Sequence, residues 1–553
     1  MKRLFFLFLI MNFVVHLMAG TVSKEQAFRI ATSFMAQHGI QKPLVLAQTD
    51  KQKTRSEDAD LYYIFNSENS FVIVSGDDRT PQVLGYSLHN CFEATDMPDN
   101  LASWLDGCAK TRSAEDVPLH DPVPDLITSH WTQHEPYNTY CPTLNGKTTL
   151  TGCVATAMGQ VMYYHKWPTG ETKGIPHYTT ETNSIEIDSL PPTTFDWNNI
   201  LPAYSNDYTQ TQKEAVAHLM RYCCSSLEAD YKDGSTSVYN TMSSKALRNY
   251  FGYGNGVRYI SRIYYEDSQW DALIYNEISH QRPIIYSGQR EDNKGGHEFV
   301  VHGYDGNGYY AVNWGWGGNG DGYYRLSAMN PPTSSDPRYN LRQLATIGIS
   351  PEDVAETNRT NLLANIRGAY VDAPSVSKPD ETESATYTCE KDGNGGFEFS
   401  YAIRILSQLA TEETFDIGFA LCKNNEVIET VVIREDRTLT PGSGKIYRGT
   451  KGIGNLPDGD YAIKTYCRLS GTDEWYKCYG SDKWAILIHA EGNTVKLQVA
   501  DTTTSIHAIT THTADADKPA TYYDLHGRKV NAGYKGIVIK RFANGTTQKQ
   551  LWR

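Results

Sequence analysis

Of the ten cysteines in the chain, Cys153 is set apart by its surroundings. The segment Thr151-Gly152-Cys153-Val154-Ala155-Thr156-Ala157-Met158-Gly159-Gln160-Val161-Met162 begins with a glycine turn and becomes apolar and helical. Cys153 therefore falls at the N-terminus of a largely buried helix, where the positive end of the helix dipole favours thiolate. A thiolate is the attacking form of cysteine in covalent catalysis. The bland alternative is a small buried residue in a core helix. His297 shifts the balance. It lies in Gly295-Gly296-His297-Glu298-Phe299-Val300-Val301, a glycine turn running into a buried strand, and paired glycines let another chain approach closely. Further on stands Val312-Asn313-Trp314-Gly315-Trp316-Gly317-Gly318. Asn313 is expected to end the next strand of a hairpin, beside His297. There it would hold the imidazole tautomer, with Trp314 shielding that hydrogen bond from water. Nucleophile, base and orienter would then be complete.

Metal chemistry fits the same residues poorly. His297 and His302 stand five apart in a β-branched strand and so face opposite sides. A zinc-protease motif needs histidines four apart on a helix. The Asp-Gly-Asn-Gly runs at 305–308 and 392–395 lack the later ligands of a calcium loop and read as turns. No metal and no cofactor are expected.

Three kinds of element must position these residues. In residues 21–112, Ser23-Lys24-Glu25-Gln26 is a capping box. Ala27, Ile30, Ala31 and Phe34 follow on one helical face. Leu61–Phe65 and Phe71–Val74 read as strands, and Leu101–Cys108 as a short helix. Lys110-Thr111-Arg112-Ser113 opens an exposed linker through 113–124. Residues 125–351 begin with helices near 152–166 and 211–227. They close with strands at Arg282–Tyr286, Glu298–Gly303, Tyr309–Trp314, Gly322–Leu326 and Ala345–Ile349, an α+β pattern. Residues 352–500 alternate with period two in short runs separated by turns, as a β-sandwich does. Residues 501–520 read as a linker and 521–553 as a small β module.

Composition narrows the classes. The chain has 553 residues and a net charge of −13, which disfavours a nucleic-acid partner. Lys2 and Arg3 precede an apolar run from Leu4 to Met18 and then Ala19-Gly20, a secretory signal peptide over residues 1–20. No comparable apolar run follows, so no other membrane segment is expected. The cysteines are sparse for a disulfide scaffold, and their connectivity cannot be deduced from spacing.

Taken together, Gln133-x-x-Pro136-Tyr137-Asn138, Cys141-Pro142, Thr151-Gly152-Cys153-Val-Ala-Thr-Ala-Met, Gly295-Gly-His297-x-Phe-Val and Val312-Asn-Trp-Gly-Trp-Gly-Gly318 resemble the streptopain family of secreted papain-like cysteine peptidases. The resemblance covers about residues 21–351. It includes Phe71-Val-Ile-Val-Ser-Gly76 and Leu84-Gly-Tyr-Ser87, which look like the family's inhibitory prodomain. It implies a zymogen with a papain-like catalytic domain at 125–351. Cys153 would be the nucleophile and His297 the base. Gln133 would supply the oxyanion hole, Asn313 would orient and Trp314 shield the histidine. Tyr286, Ser287, Gly288, Gly295 and Gly296 would form the substrate cleft. Glu298 departs from the family, which carries a small residue there. The final segment Tyr522–Val530 with Lys535–Ile539 is similar to the C-terminal sorting modules of type IX secretion in Bacteroidetes, or is an ordinary hairpin.

The expected fold is α+β, a papain-like domain preceded by a small α+β prodomain and followed by all-β modules. The expected function is that of a secreted or bacterial surface cysteine endopeptidase. Its partners would be protein or peptide substrates and its own prodomain as intramolecular inhibitor. Cleavage between about Lys110 and Asp125 would release that inhibitor, whose loop Gly85–Asn90 would meet the active site. The rivals are an adhesin with an inactive papain-like domain and an amide-transfer enzyme. An intact Cys153, His297, Gln133 and Asn313 argues against the first.

Overall fold

The computed structural model describes residues 20–552 apart from 48–53, 57–58, 79, 94–100, 102–104, 106–118, 206, 240, 263–264, 266, 290–295, 327–342, 353–361, 373–385, 408–411, 441–443, 483, 501–520, 525–535 and 542–546. Most of the signal peptide, Gly295, Lys110–Arg112 with the start of the 113–124 linker, most of the helix expected over 101–108 and the 501–520 linker lie outside the described residues. The chain divides into two compact units, one up to Val499 and one from Ala500.

The first unit opens with α1 (Lys24–Gln37), started by the capping box in which Ser23 and Gln26 bond each other's backbone N–H. Antiparallel strands β1 (Val45–Ala47), β2 (Tyr62–Ser67), β3 (Ser70–Ser75) and β4 (Val83–Ser87) follow. Ala27, Ala31 and Met35 of α1 cluster with Tyr63, Phe65, Val72 and Val74 on one face of these strands. Then come α2 (Cys153–His165), α3 (Gln210–Ser226), α4 (Met242–Asn249), β5 (Arg258–Ser261), α5 (Asp267–Ser279), β6 (Ile284–Gln289), β7 (Gly296–Tyr304), β8 (Tyr310–Asn313), β9 (Gly322–Tyr324) and β10 (Leu344–Ile347). Seven of the ten strands, β2, β3 and β6 to β10, are legible in outline in the sequence, and β1 and β4 are not. Helices α4 and α5 and strand β5 were not expected.

The strands make one ten-stranded sheet, β1-β2-β3-β4-β9-β8-β7-β6-β10-β5. The N-terminal unit is thus not the separate body that the sequence suggests. Its last strand adds onto the later half, with Tyr86 opposite Tyr323 and Gly85 opposite Tyr324. Leu61, Ile64, Phe71 and Phe92 join Trp270, Phe299, Trp314 and Tyr324 in a single apolar cluster. Glycine is required at this seam by space. A Cβ on Gly85 would stand 2.4 Å from the Tyr324 ring, and one on Gly322 2.5 Å from the Tyr86 carbonyl. On the opposite face α2 and α3 pack with Val300 and Ile285 into a second core.

Residues 362–499 form a β-sandwich. Its strands are β11 (Leu362–Asp372), β12 (Thr386–Glu390), β13 (Phe397–Ser407), β14 (Glu413–Lys423), β15 (Glu426–Leu439), β16 (Gly444–Ile453), β17 (Gly459–Leu469), β18 (Ile486–Glu491) and β19 (Thr494–Val499). One sheet is β11-β13-β16. The other runs β12-β19-β18-β17-β14-β15, with a short strand at Tyr476–Lys477 beside β17. Alternate residues, among them Phe399, Tyr401, Ile417, Phe419, Ile463 and Leu497, fill one core. The second unit is a three-stranded antiparallel sheet of β20 (Thr521–Asp524), β21 (Gly536–Arg541) and β22 (Thr547–Trp552). Among the described residues no helix is long and apolar enough to cross a membrane.

The shared sheet and core predict that cutting the linker does not by itself separate the halves. A Cys153→Ala chain nicked between Lys110 and Asp125 by an added protease is expected to elute as one species in size-exclusion chromatography. Gly85→Val should weaken that association by about 1–3 kcal/mol, the usual range for overpacking. The nicked variant should then come apart at lower urea. Fragments that separate equally readily with Gly85 intact would contradict the seam.

Candidate active site

Cys153 is the first residue of α2, and Gly152 before it adopts φ +84°, a left-handed conformation suited to glycine. Space demands glycine too, because a Cβ there would meet Thr236 at 3.1 Å. Glycine offers no capping side chain, so the first N–H groups of α2 stay turned to the thiol. Sγ accepts the backbone N–H of Glu298 at 3.4 Å. Burial pushes the thiol above its ordinary range, opposed by backbone hydrogen bonds from Glu298, Val154 and Cys153 itself.

His297 enters from β7, whose register sets it opposite Gly288 of β6. Its Nε2 lies 3.2 Å from the carbonyl of Trp314. A carbonyl only accepts, so Nε2 carries the proton in the neutral ring and Nδ1 is left as the acceptor. Burial pushes the imidazole down to about 4, against that hydrogen bond. Thiol and imidazole are both driven toward their neutral forms in this arrangement.

Asn313 does not take the place expected of it. β8 pairs Asn313 with Val300, three residues along from His297. Its Oδ1 accepts from Gln160 Nε2 and from Gly315 N, each at 3.0 Å, and its Nδ2 donates to Ser129 O at 2.6 Å. The orienting contact to the imidazole comes instead from the backbone of the next residue. The shield is also displaced by two residues. The Trp314 ring is buried against Phe299 at 4.6 Å and Tyr324 at 5.3 Å, whereas Trp316 stacks beside His297 at 6.3 Å.

Gln133 is buried, and its carbonyl accepts from Thr151 N at 3.2 Å, two residues before Cys153. This tie holds the segment carrying Gln133 against the start of α2. Of the expected cleft, Tyr286 belongs to the core. Its side chain is fully buried, and its hydroxyl binds Trp270 Nε1 at 3.1 Å as well as Gln343. Tyr286 and Ser287 are paired with β7 on one side and β10 on the other, so they offer substrate no free strand edge. Gly288 and Gly296 lie where that pairing runs out, next to His297. Of the expected prodomain loop Gly85–Asn90, Gly85–Ser87 lie in β4 instead, and the bonds nearest the site come from Asn90 and from Glu93 beyond it. Asn90 donates to Gly318 O, and Glu93 N donates to Asn319 Oδ1 at 3.1 Å, both on the turn that follows Trp316.

Two residues went unrecognised in the sequence. Gln160 is fully buried in α2, and its Oε1 accepts from Ser129 Oγ at 2.9 Å and from Trp131 N at 3.3 Å. A lone amide in an apolar helix, two turns after the cysteine, was the available signal. Asp321 holds the turn through Trp314 N at 2.8 Å and His130 Nδ1 at 3.0 Å, and this partner raises the His130 pKa. His302, the other half of the apparent zinc pattern, is spent on Ile127 N at 3.4 Å.

Residues 131–324 match the peptidase C10 family, and residues 19–111 match the Spi protease inhibitor family. Streptopain of Streptococcus pyogenes is 35% identical over 326 residues, covering 52% of this chain and 80% of streptopain. Thiol protease/hemagglutinin PrtT of Porphyromonas gingivalis is 31% identical over 390 residues, covering 64% of this chain and 44% of that protein. Among solved structures, a prointerpain A fragment of Prevotella intermedia covers 56% of this chain and 99% of its own length, at 30% identity and a TM-score of 0.48. Active interpain A of the same organism covers 42% and 99%, at 34% identity and a TM-score of 0.38. The chain is a cysteine endopeptidase of the peptidase C10 family, made as a zymogen with an inhibitor-like segment on its N-terminal side.

Proposed function

We propose that Cys153 and His297 form the catalytic pair of an exported endopeptidase, and that residues 21–112 hold it latent. The observation that carries this reading is the position of Sγ. It lies at the N-terminus of a buried helix and accepts the N–H of the residue that follows His297. In the working enzyme His297 Nδ1 takes the thiol proton, and Sγ attacks the substrate carbonyl carbon. The oxyanion forms against the Cys153 N–H and the Gln133 side-chain amide. His297 then gives its proton to the leaving amine, leaving a thioester on Cys153. Water, deprotonated by His297, hydrolyses it and restores the thiol. Trp314 O steadies the imidazolium throughout. Gly288 and Gly296 border the cleft. Residues 1–20 would direct export, leaving the enzyme secreted or at the cell surface, and residues 113–124 would be the processing linker.

Cys153→Ala and His297→Ala are each expected to remove peptide hydrolysis by about 10⁴-fold or more. Gln133→Ala should cost about 10²–10³ in kcat, as loss of one oxyanion donor does. Full hydrolysis by folded Cys153→Ala protein would sink the mechanism.

Asn313 and Gln160 should behave as structural partners and not as titrating ones. Each alanine variant is expected to lower stability by about 1–3 kcal/mol, the cost of an unpaired buried polar group. The double variant should cost less than the sum, because the two share one hydrogen bond. The acidic limb of the pH–rate profile should stay in place. A shifted limb in Asn313→Ala would restore the direct orienting role.

A raised thiol pKa also predicts how latency looks from outside. In the intact precursor, iodoacetamide should label Cys153 slowly at neutral pH, and the rate should climb as pH rises past the ordinary thiol range. A group raised by folding is protonated below its folded pKa, so the thiolate is scarce at pH 7. The mature enzyme should label fast from about pH 6, where a thiolate–imidazolium pair persists. Equal pH profiles for the two forms would contradict this.

A further inference from the structure

Glu298 is a buried carboxylic acid beside the Cys153 thiol. Its side chain is 5% exposed, and its Oε2 is buried without a hydrogen bond among the described residues. Native structures seldom leave a buried polar atom unsatisfied, and such an atom asks for a functional reason.

The strand fixes which way the acid faces. In β7, Phe299 and Val301 belong to the core shared with the prodomain, while Val300 belongs to the core under α2. Side chains alternate along a strand, so Glu298 lies on the face of Val300, toward the helix that carries Cys153. Its own N–H reaches Sγ at 3.4 Å. Burial holds the carboxyl well above the ordinary carboxylate range, and the charge of Cys153 adds to that. The acid therefore stands beside Cys153 with its charge suppressed by burial.

We propose that Glu298 is a specificity-determining residue, whose carboxylate receives a cationic side chain, lysine or arginine, from the peptide chain close to the scissile bond. This rests on the reading of Cys153 as nucleophile. A cation supplies the missing partner and lets the carboxyl ionise. An apolar side chain would leave it buried and unpaired, and a site built around a polar group rejects analogues that lack the complement. The chain carries one such substrate itself. Lys110 and Arg112 are the basic residues of the stretch 106–118, and an acidic Glu115-Asp116 follows them. A cleft that selects cations would choose this stretch for its own maturation.

The test is positional. Mature enzyme, its active sites counted by stoichiometric alkylation, is given peptides that differ only in the three residues before the scissile bond. Each position carries lysine, arginine, norleucine or glutamate in turn. At one position kcat/KM should favour lysine or arginine over norleucine by about tenfold or more, the scale on which a buried charge pair discriminates. Glu298→Gln keeps the shape and removes the charge, and should bring the ratio to within about twofold of unity. Glu298→Ala should turn the preference to norleucine. N-terminal sequencing of self-processed enzyme should place Lys110 or Arg112 just before the new terminus. Wild-type enzyme that cleaves norleucine peptides as well as lysine peptides at every position overturns the proposal, as does a basic preference that survives Glu298→Gln. If no peptide is cleaved, the peptidase reading itself falls, and the proposal falls with it.

Discussion

The carboxamide of Gln160 is the contact on which the site's geometry depends. It sits two helical turns beyond Cys153, fully buried, and its bonds reach three residues in two separate segments. Ser129 and Trp131 lie in the segment that leads to Gln133. Asn313 ends the strand that leads to the Trp314 carbonyl. The amide thus couples the helix of Cys153 to the segment of Gln133 and to the carbonyl that meets His297. Each of these polar atoms is shut away from water, so a partner lost at any point would cost about 1–3 kcal/mol. Buried chains of this kind either close completely or fail together. Asn313 belongs to this chain of bonds, and its partners are Gln160, Ser129 and Gly315. It is held by Gln160 and Ser129 O, and in turn holds Gly315 N. The turn at Gly315 then aims the preceding carbonyl at His297.

The same economy appears at the seam with the N-terminal unit. Without β4, strand β9 would be a sheet edge with unpaired N–H and C=O groups, and such edges invite another strand. The N-terminal unit supplies that strand, and Leu61, Ile64, Phe71 and Phe92 complete the core beside Trp314 and Tyr324. Burying each such side chain contributes about 1.5–3 kcal/mol. A tether contributes only an effective concentration, of the order of millimolar for a short flexible linker. The core contacts therefore dominate, and the linker governs access to the chain more than the strength of the association. Pressure on the site follows from adjacency. The turn that carries Trp316 is bonded by Asn90 and Glu93, so the segment after β4 bears directly on the groups around His297.

What the sequence discloses follows the range of each interaction. The glycine before Cys153, the strand of His297 and the period-two alternation of the sandwich are local signals, and the structure carries helices and strands there. The capping boxes of α1 and α3 are local as well, although only the first was recognised. Contacts between distant segments were not legible. The one-to-one pairing of Asn313 with Val300 depends on a register that includes a bulge between Val301 and Gly303, which no spacing rule shows. The resemblance implies that Tyr286 is a cleft residue, but β6 is an interior strand, a fact set by β10 from far along the chain. The joined sheet depends on Gly85 meeting Tyr324, more than two hundred residues away. Helix α5 escaped because its buried positions, Trp270, Ile274, Glu277 and Ile278, include an acid whose partners, Arg282 and Gly348 N, lie beyond the helix.

Electrostatics ties these features together. Cys153, His297 and Glu298 are all driven toward their neutral forms, and burial is the first cause in each case. A dry site can hold charge only as compensated pairs, because an isolated ion loses its hydration without return. Thiolate with imidazolium is one such pair. The carboxylate of Glu298 cannot join it usefully, since its negative charge would oppose the thiolate beside it. Left alone it must stay protonated, and the nucleophile is then undisturbed. Ionised against a substrate cation, it again presents no net charge to Sγ. The one state that harms the nucleophile is an unpaired carboxylate, and burial disfavours that state. An acid at this position is therefore compatible with cysteine chemistry only because it is dry, and the dryness that keeps it harmless is also what makes it selective.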